Sequence, residues 1–114
     1  MFVTNKLWLD DVRKPPDDTW TWVKSYDEAV QAVEGQWFGI MSLDHDLGME
    51  VAEEMVSGIV VAREREKPTG YDFACYIERR VHMGDMLPPM VMVSHSANPN
   101  GKVRIELVAR KLTS

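Results

Sequence analysis

Three observations predict a small α/β domain built on a mainly parallel, four-stranded sheet. Three short apolar runs, Leu7-Trp8-Leu9, Ile40-Met41-Ser42-Leu43 and Met90-Val91-Met92-Val93, each end abruptly in a polar cluster. Helical periodicity fills the intervals before the second and third runs, the pattern of crossovers between parallel strands. The polar clusters are Asp10-Asp11, Asp44-His45-Asp46-Leu47-Gly48 and Ser94-His95-Ser96-Ala97-Asn98-Pro99. Parallel strands put their carboxyl ends on one edge, where open α/β sheets bind ligands. All three clusters are therefore expected to share one rim.

The elements follow in order. Residues 6–10 read as a buried strand, and Arg13-Lys14-Pro15-Pro16-Asp17-Asp18 as a loop, since paired prolines and carboxylates break regular structure. Residues 20–23, rich in aromatic and β-branched types, form a second strand. Ser25 is the N-cap of a helix with Glu28 at the capping-box position, and Gly35 ends it. Residues 37–43 form a strand apolar on both faces, as a central parallel strand is. Residues 49–69 read either as two short strands or as a helical turn. A long excursion from a ligand-binding edge is a lid or binding loop, or else a mobile surface insertion. Thr69 to Val81 is helical, with Phe73, Ala74, Ile77 and Val81 on one face, and Gly84 stops it. Pro88-Pro89 introduces the last strand. Asn98 caps a final helix with Pro99 at its first position. The expected sheet has the first and third strands in the middle.

The chain of 114 residues fits one domain, 1–114, with the excursion at 49–69. A net charge of −5 argues against broad DNA binding, which needs a positive footprint. Cys75 is the single cysteine, which excludes an internal disulfide and suits a cytoplasmic location. Its place in the helical pattern makes it a small core residue. No run is long enough to span a bilayer, so no membrane partner is expected.

Asp10, Asp11, Asp44 and Asp46 would meet at the rim, and so much negative charge needs a compensating cation. An all-oxygen donor set favours Mg²⁺, Mn²⁺ or Ca²⁺ over zinc, with Mg²⁺ or Mn²⁺ the expected ion. His95 is the better candidate for general acid–base catalysis. His45, between two aspartates, is a further catalytic candidate beside His95 and Asp44; alternation along a strand turns it away from Asp44 and Asp46, so that it either orients a neighbour or belongs to the opposite face. Ser94, Ser96 and Asn98 can donate to phosphate oxygens, as can N–H groups at the start of the final helix. Lys102 and Arg13 flank the clusters as candidate substrate-binding cations.

At these clusters the chain resembles the receiver domains of response regulators. Asp10 and Asp11 match the receiver acidic pair, Asp44 the phosphoacceptor, and Ser94 or Ser96 the hydroxyl after the fourth strand. The fold implied is receiver-like, or flavodoxin-like, but truncated: no fifth strand follows, and no residue matches its lysine. More narrowly, the blocks LWLDDVR-x-PP, YDEA, SLDHDLG, TGYD and HSANP, from Leu7 to Pro99, resemble the cyclic-phosphate processing receiver-like family. That resemblance implies a divalent-cation-dependent phosphoesterase that opens a cyclic phosphate of a nucleotide or an RNA end. Its partner would be a small phosphorylated or cyclic-nucleotide ligand. The alternatives are a non-catalytic cyclic-nucleotide or phosphate-binding module and a receiver-type phosphoacceptor or adaptor.

Overall fold

A computed structural model of the chain describes residues 4–113. Its elements in chain order are β1 (Lys6–Leu9), β2 (Trp20–Val23), α1 (Tyr26–Gly35), β3 (Ile40–Leu43), β4 (Met49–Val56), β5 (Ile59–Glu66), α2 (Gly70–His82), β6 (Val91–Ser94) and α3 (Pro99–Thr113). The main sheet has the order β2-β1-β3-β6, every pair parallel, so β1 and β3 are central as expected. The registers Leu9↔Val23, Leu9↔Leu43 and Leu43↔Ser94 align the strand ends on one edge.

The helix starts follow from their caps. Ser25 Oγ accepts from Glu28 N at the start of α1, without the reciprocal half of a capping box. The full box occurs at α2, where Thr69 Oγ1 accepts from Asp72 N and Asp72 accepts from Thr69 N. Asn98 Oδ1 accepts from Gly101 N in the first turn of α3. The third strand begins at Ile40 rather than residue 37. Gly39 is packed against Thr4, Trp37 and Met90, and its carbonyl accepts from Met90 and Val91 as the chain turns into the sheet.

All three helices pack on one face of the sheet, α2 lying against both α1 and α3. Alternation puts Leu7, Leu9, Met41, Leu43 and Met92 on that face, where they form a single core with Phe38, Phe73, Ile77 and Ile105. Cys75 is half-buried against this core. The other face carries Trp8, Ile40, Ser42, Val91 and Val93. The β1–β2 crossover contains no helix. Its proline-rich loop instead folds back near the rim, where Trp8 Nε1 donates to Arg13 O at 2.8 Å and Trp22 Nε1 to Asp10 O at 2.7 Å.

Residues 49–66 resolve into an antiparallel hairpin, β4–β5, closed by Ser57 and Gly58. Both have positive φ, 52° and 81°, the signature of a two-residue type I′ turn. The hairpin packs on itself and scarcely touches the sheet or helices. It projects from the rim rather than closing over it as a lid would. No helix among the described residues is long and apolar enough to cross a membrane.

Candidate functional site

The rim collects residues from the ends of β1, β3 and β6. Asp10 follows Leu9 with its backbone tied to Val23 O, and Asp44 follows Leu43 with its N–H on Leu9 O. Both share the strand parity of Trp8 and Ser42, so they lean toward the face without helices. Carboxylate oxygens of Asp10, Asp11 and Asp44 lie within 4.8 Å of one another. Asp10 is almost wholly buried, and its Oδ1 accepts from Val12 N at 2.9 Å and Arg13 N at 2.7 Å.

His95 holds the other oxygen of Asp10. Its Nε2 lies 2.9 Å from Asp10 Oδ2 and its Nδ1 lies 2.8 Å from Ser42 Oγ. An ionised Asp10 can only accept, so Nε2 carries the proton and Nδ1 accepts from Ser42. The ring stacks on Trp8, with centroids 3.7 Å apart and planes 5° from parallel. Arg13 Nη1 donates to His95 O at 3.0 Å, which closes the loop over the rim.

The titration shifts follow from this arrangement. Burial pushes Asp10 up, but the N–H groups of Arg13 and Val12 and the His95 ring outweigh it, and its pKa falls below the ordinary value. Asp44 moves the other way. Burial and the neighbouring Asp10 charge raise its pKa, against the opposing Ser96 hydroxyl and His45 N–H. Burial lowers the pKa of His95, although Asp10 and Asp44 pull it up. His95 is therefore a neutral ring held between two partners at neutral pH.

Ser94 and Ser96 separate clearly. Ser94 Oγ donates to Leu43 O at 2.8 Å and accepts from Ser96 N, so it is spent on the backbone. Ser96 bonds the Asp44 carboxylate and is the hydroxyl that faces the acidic cluster. Its oxygen also accepts from Asn98 N. The Asn98 and Gly101 N–H groups are thus engaged within the turn and do not project freely toward a ligand.

Three expectations change. Asp46 leaves the carboxylate cluster. The strand ends at Leu43, so alternation no longer governs Asp46, whose Oδ1 lies 2.8 Å from His45 Nδ1 and whose Oδ2 lies 3.4 Å from Asn98 Nδ2. Its nearest acidic neighbour in that group is Glu66 at the hairpin base. His45 faces away from Asp44 as alternation implies, and so is not at the reacting rim as a catalytic residue. It turns to the helix side, buried beneath α3, where a Cβ on Gly101 would lie 2.3 Å from its Cγ. Its Nε2 is buried with no hydrogen-bond partner among the described residues. Lys102 is exposed on the first turn of α3 and forms no ion pair with the acidic cluster.

Several positioning residues carried weaker sequence signals. Ser42 is a lone hydroxyl inside an apolar strand. Trp8 is its register partner across β1 and β3, and the pair flanks the His95 ring. Gly70 lies against the backbone of Asp44, where a Cβ would meet the Asp44 carbonyl oxygen at 1.8 Å. Its N–H donates to His45 O at 2.9 Å, pinning α2 to the turn that carries Asp44.

The donor set suits a hard divalent cation. Three carboxylates crowd together, one of them destabilised in its charged form by its neighbour, and all offer oxygen. Comparison with curated proteins and with solved structures found no match. A family model described as the cyclic-phosphate processing receiver domain matches residues 5–111. With the parallel sheet, the acidic rim and a match over nearly its whole length, the chain belongs to the cyclic-phosphate processing receiver domain family.

Proposed function

We propose that the protein is a divalent-cation-dependent hydrolase that opens a cyclic phosphate of a nucleotide or of an RNA end. The observation that carries this reading is the Asp10, Asp11, Asp44 cluster, with Asp44 held at a raised pKa by burial and by Asp10. These three residues would hold Mg²⁺ or Mn²⁺. Such an ion supplies charge neutralisation for the phosphoryl oxygens. The Ser96 hydroxyl, already on Asp44, is placed to donate to a phosphoryl oxygen at the same edge. Asp44 is the candidate to orient water or to attack phosphorus itself. A cyclic ester needs no separate leaving fragment, because ring opening supplies the ribose hydroxyl. His95 positions Asp10 through Nε2–H. Transfer of that proton to the departing oxygen requires the Asp10 bond to be exchanged for one to substrate.

The test is incubation with 2′,3′-cyclic nucleotides and Mn²⁺, followed by chromatography. Ring opening that stops in chelator and in Asp10→Asn is expected. His95→Ala should lose roughly 10²- to 10⁴-fold in rate. Full turnover in chelator overturns the reading. One observation favours a second reading, a cyclic-phosphate binding module: both nitrogens of His95 are engaged, and neither is free to act on a ligand. Saturable binding without product would establish that alternative.

A further inference from the structure

A cation stands beside the acidic rim that comes from neither the main sheet nor the helices. Lys67 follows β5 and closes the base of the hairpin, where its N–H donates to Gly48 O at 3.0 Å. Gly48 has a φ of 96°, a conformation that favours glycine. A Cβ at this position would lie 3.5 Å from Asp11 Oδ2 and 4.0 Å from Lys67 Cδ. The Asp11 carboxylate and the Lys67 stem therefore adjoin one point, and glycine leaves the gap between them open. Asp11 is in turn one of the three acids whose carboxylate oxygens lie within 4.8 Å of one another. Sequence patterns did not single out Lys67, because it falls in the stretch where strand and helix readings competed.

Lys67 is exposed and forms no ion pair among the described residues. The acids around it are engaged elsewhere or out of reach. Glu50, two residues from Gly48 on the same face of the ribbon, is bonded to Arg65 at 3.0 Å. Asp72 completes the capping box of α2. Asp27 lies across a hollow that Lys67 also lines, beyond ion-pair distance. Two other cations near the rim have contacts of their own: Arg13 donates to His95 O, and Lys24 Nζ lies 4.5 Å over the Trp22 ring. A lysine ammonium is a compact charge on a flexible stem, with three donors that turn to suit an anion.

We propose that Lys67 is a phosphoryl-binding residue of this site, its ammonium holding a non-bridging oxygen of a phosphate group seated on the cation at Asp10, Asp11 and Asp44. The inference rests on the cation-dependent reading above and adds to it a positive charge delivered by the hairpin base. Ser96 meets the cluster from the Asp44 side and Lys67 from the Asp11 side, so the phosphoryl group is flanked by donors on both. A cyclic phosphodiester carries one negative charge, whereas the opened monoester carries nearly two at neutral pH. An ammonium at this place favours the charge that develops as the ring opens. The backbone bond from Lys67 to Gly48 is what fixes the lysine there.

The experiment is calorimetric titration of the full chain, first with Mn²⁺ alone and then with inorganic phosphate on the Mn²⁺-loaded protein, for the wild type, Lys67→Ala and Lys67→Arg. The wild type is expected to bind both. Lys67→Ala should keep its Mn²⁺ affinity or gain some, because a like charge has left the neighbourhood of the ion. Its phosphate affinity should fall roughly tenfold or more, the loss expected for a hydrogen bond to a charged group. Retained Mn²⁺ binding also shows that the variant is folded. Lys67→Arg keeps the charge and should recover most of the phosphate binding. Unchanged phosphate affinity in Lys67→Ala, or no recovery in Lys67→Arg, overturns the proposal and leaves the cation site standing. Loss of Mn²⁺ binding in Lys67→Ala overturns it as well, since the lysine would then support the acidic cluster rather than meet a ligand. A wild type that binds Mn²⁺ but no phosphate overturns the proposal alone, and one that binds no Mn²⁺ overturns the cation-dependent reading together with it.

Discussion

Asp44 shows how this rim trades stability for charge. Its raised pKa means that the folded state favours the protonated acid. The metal-free protein therefore loses stability as pH rises from the ordinary carboxyl value through the raised folded one. Asp44→Asn should accordingly raise the melting temperature of chelated protein at pH 7 while abolishing activity. A lower melting temperature would show that the carboxylate contributes favourably without a cation. Gly70 makes a steric counterpart. Gly70→Ala sets a Cβ against the Asp44 carbonyl oxygen, a backbone atom that cannot step aside. A loss of roughly 1–3 kcal/mol in urea unfolding is expected. The identities of Asp10, Asp44 and His95 as site candidates were legible in the sequence, because each ends an apolar run. The engagement of both His95 nitrogens was not, since Ser42 and Asp10 are distant in sequence and meet the ring only through strand register.

At the scale of elements, apolar periodicity and caps located the helices and the main strands. Ser25 and Asn98 are the expected caps and each accepts a backbone N–H, while Thr69, read as the first helical residue, is itself the cap of α2. Residues 49–69 were the exception. Their alternation is interrupted by Glu53-Glu54 and by the run Ile59-Val60-Val61-Ala62, so strand and helix patterns competed. The Ser57-Gly58 turn, with both residues at positive φ, settles a hairpin. Because that hairpin contributes nothing to the core, replacing residues 50–65 by a short turn should leave one cooperative thermal transition. A shift below about 5 °C, or roughly 1 kcal/mol, is expected in dilute protein. Loss of cooperativity would show that the ribbon supports the sheet.

For the whole molecule, the acidic rim makes stability a function of bound cation. An ion that binds only the folded state stabilises by about 2.7 kcal/mol at a concentration a hundredfold above its Kd. Adding Mn²⁺ should therefore raise the melting temperature of the wild type, and Asp11→Asn should remove the rise. No rise in the wild type would refute the cation site. The placing of helices is also a property of the whole. Two helical crossovers, through α1 and α2, and the terminal helix α3 all fall on one face, while a proline-rich loop joins β1 to β2 on the other. By itself the sequence determined the parallel sheet, its two central strands and the three clusters at one rim, because apolar run length, capping residues and crossover handedness are local or nearly local signals. Only the tertiary structure decided which acids meet. His45 turns to the helix side as alternation implies, but Asp46 parts from Asp44, since side-chain direction beyond the strand end is set by its bonds to His45 and Asn98 rather than by alternation.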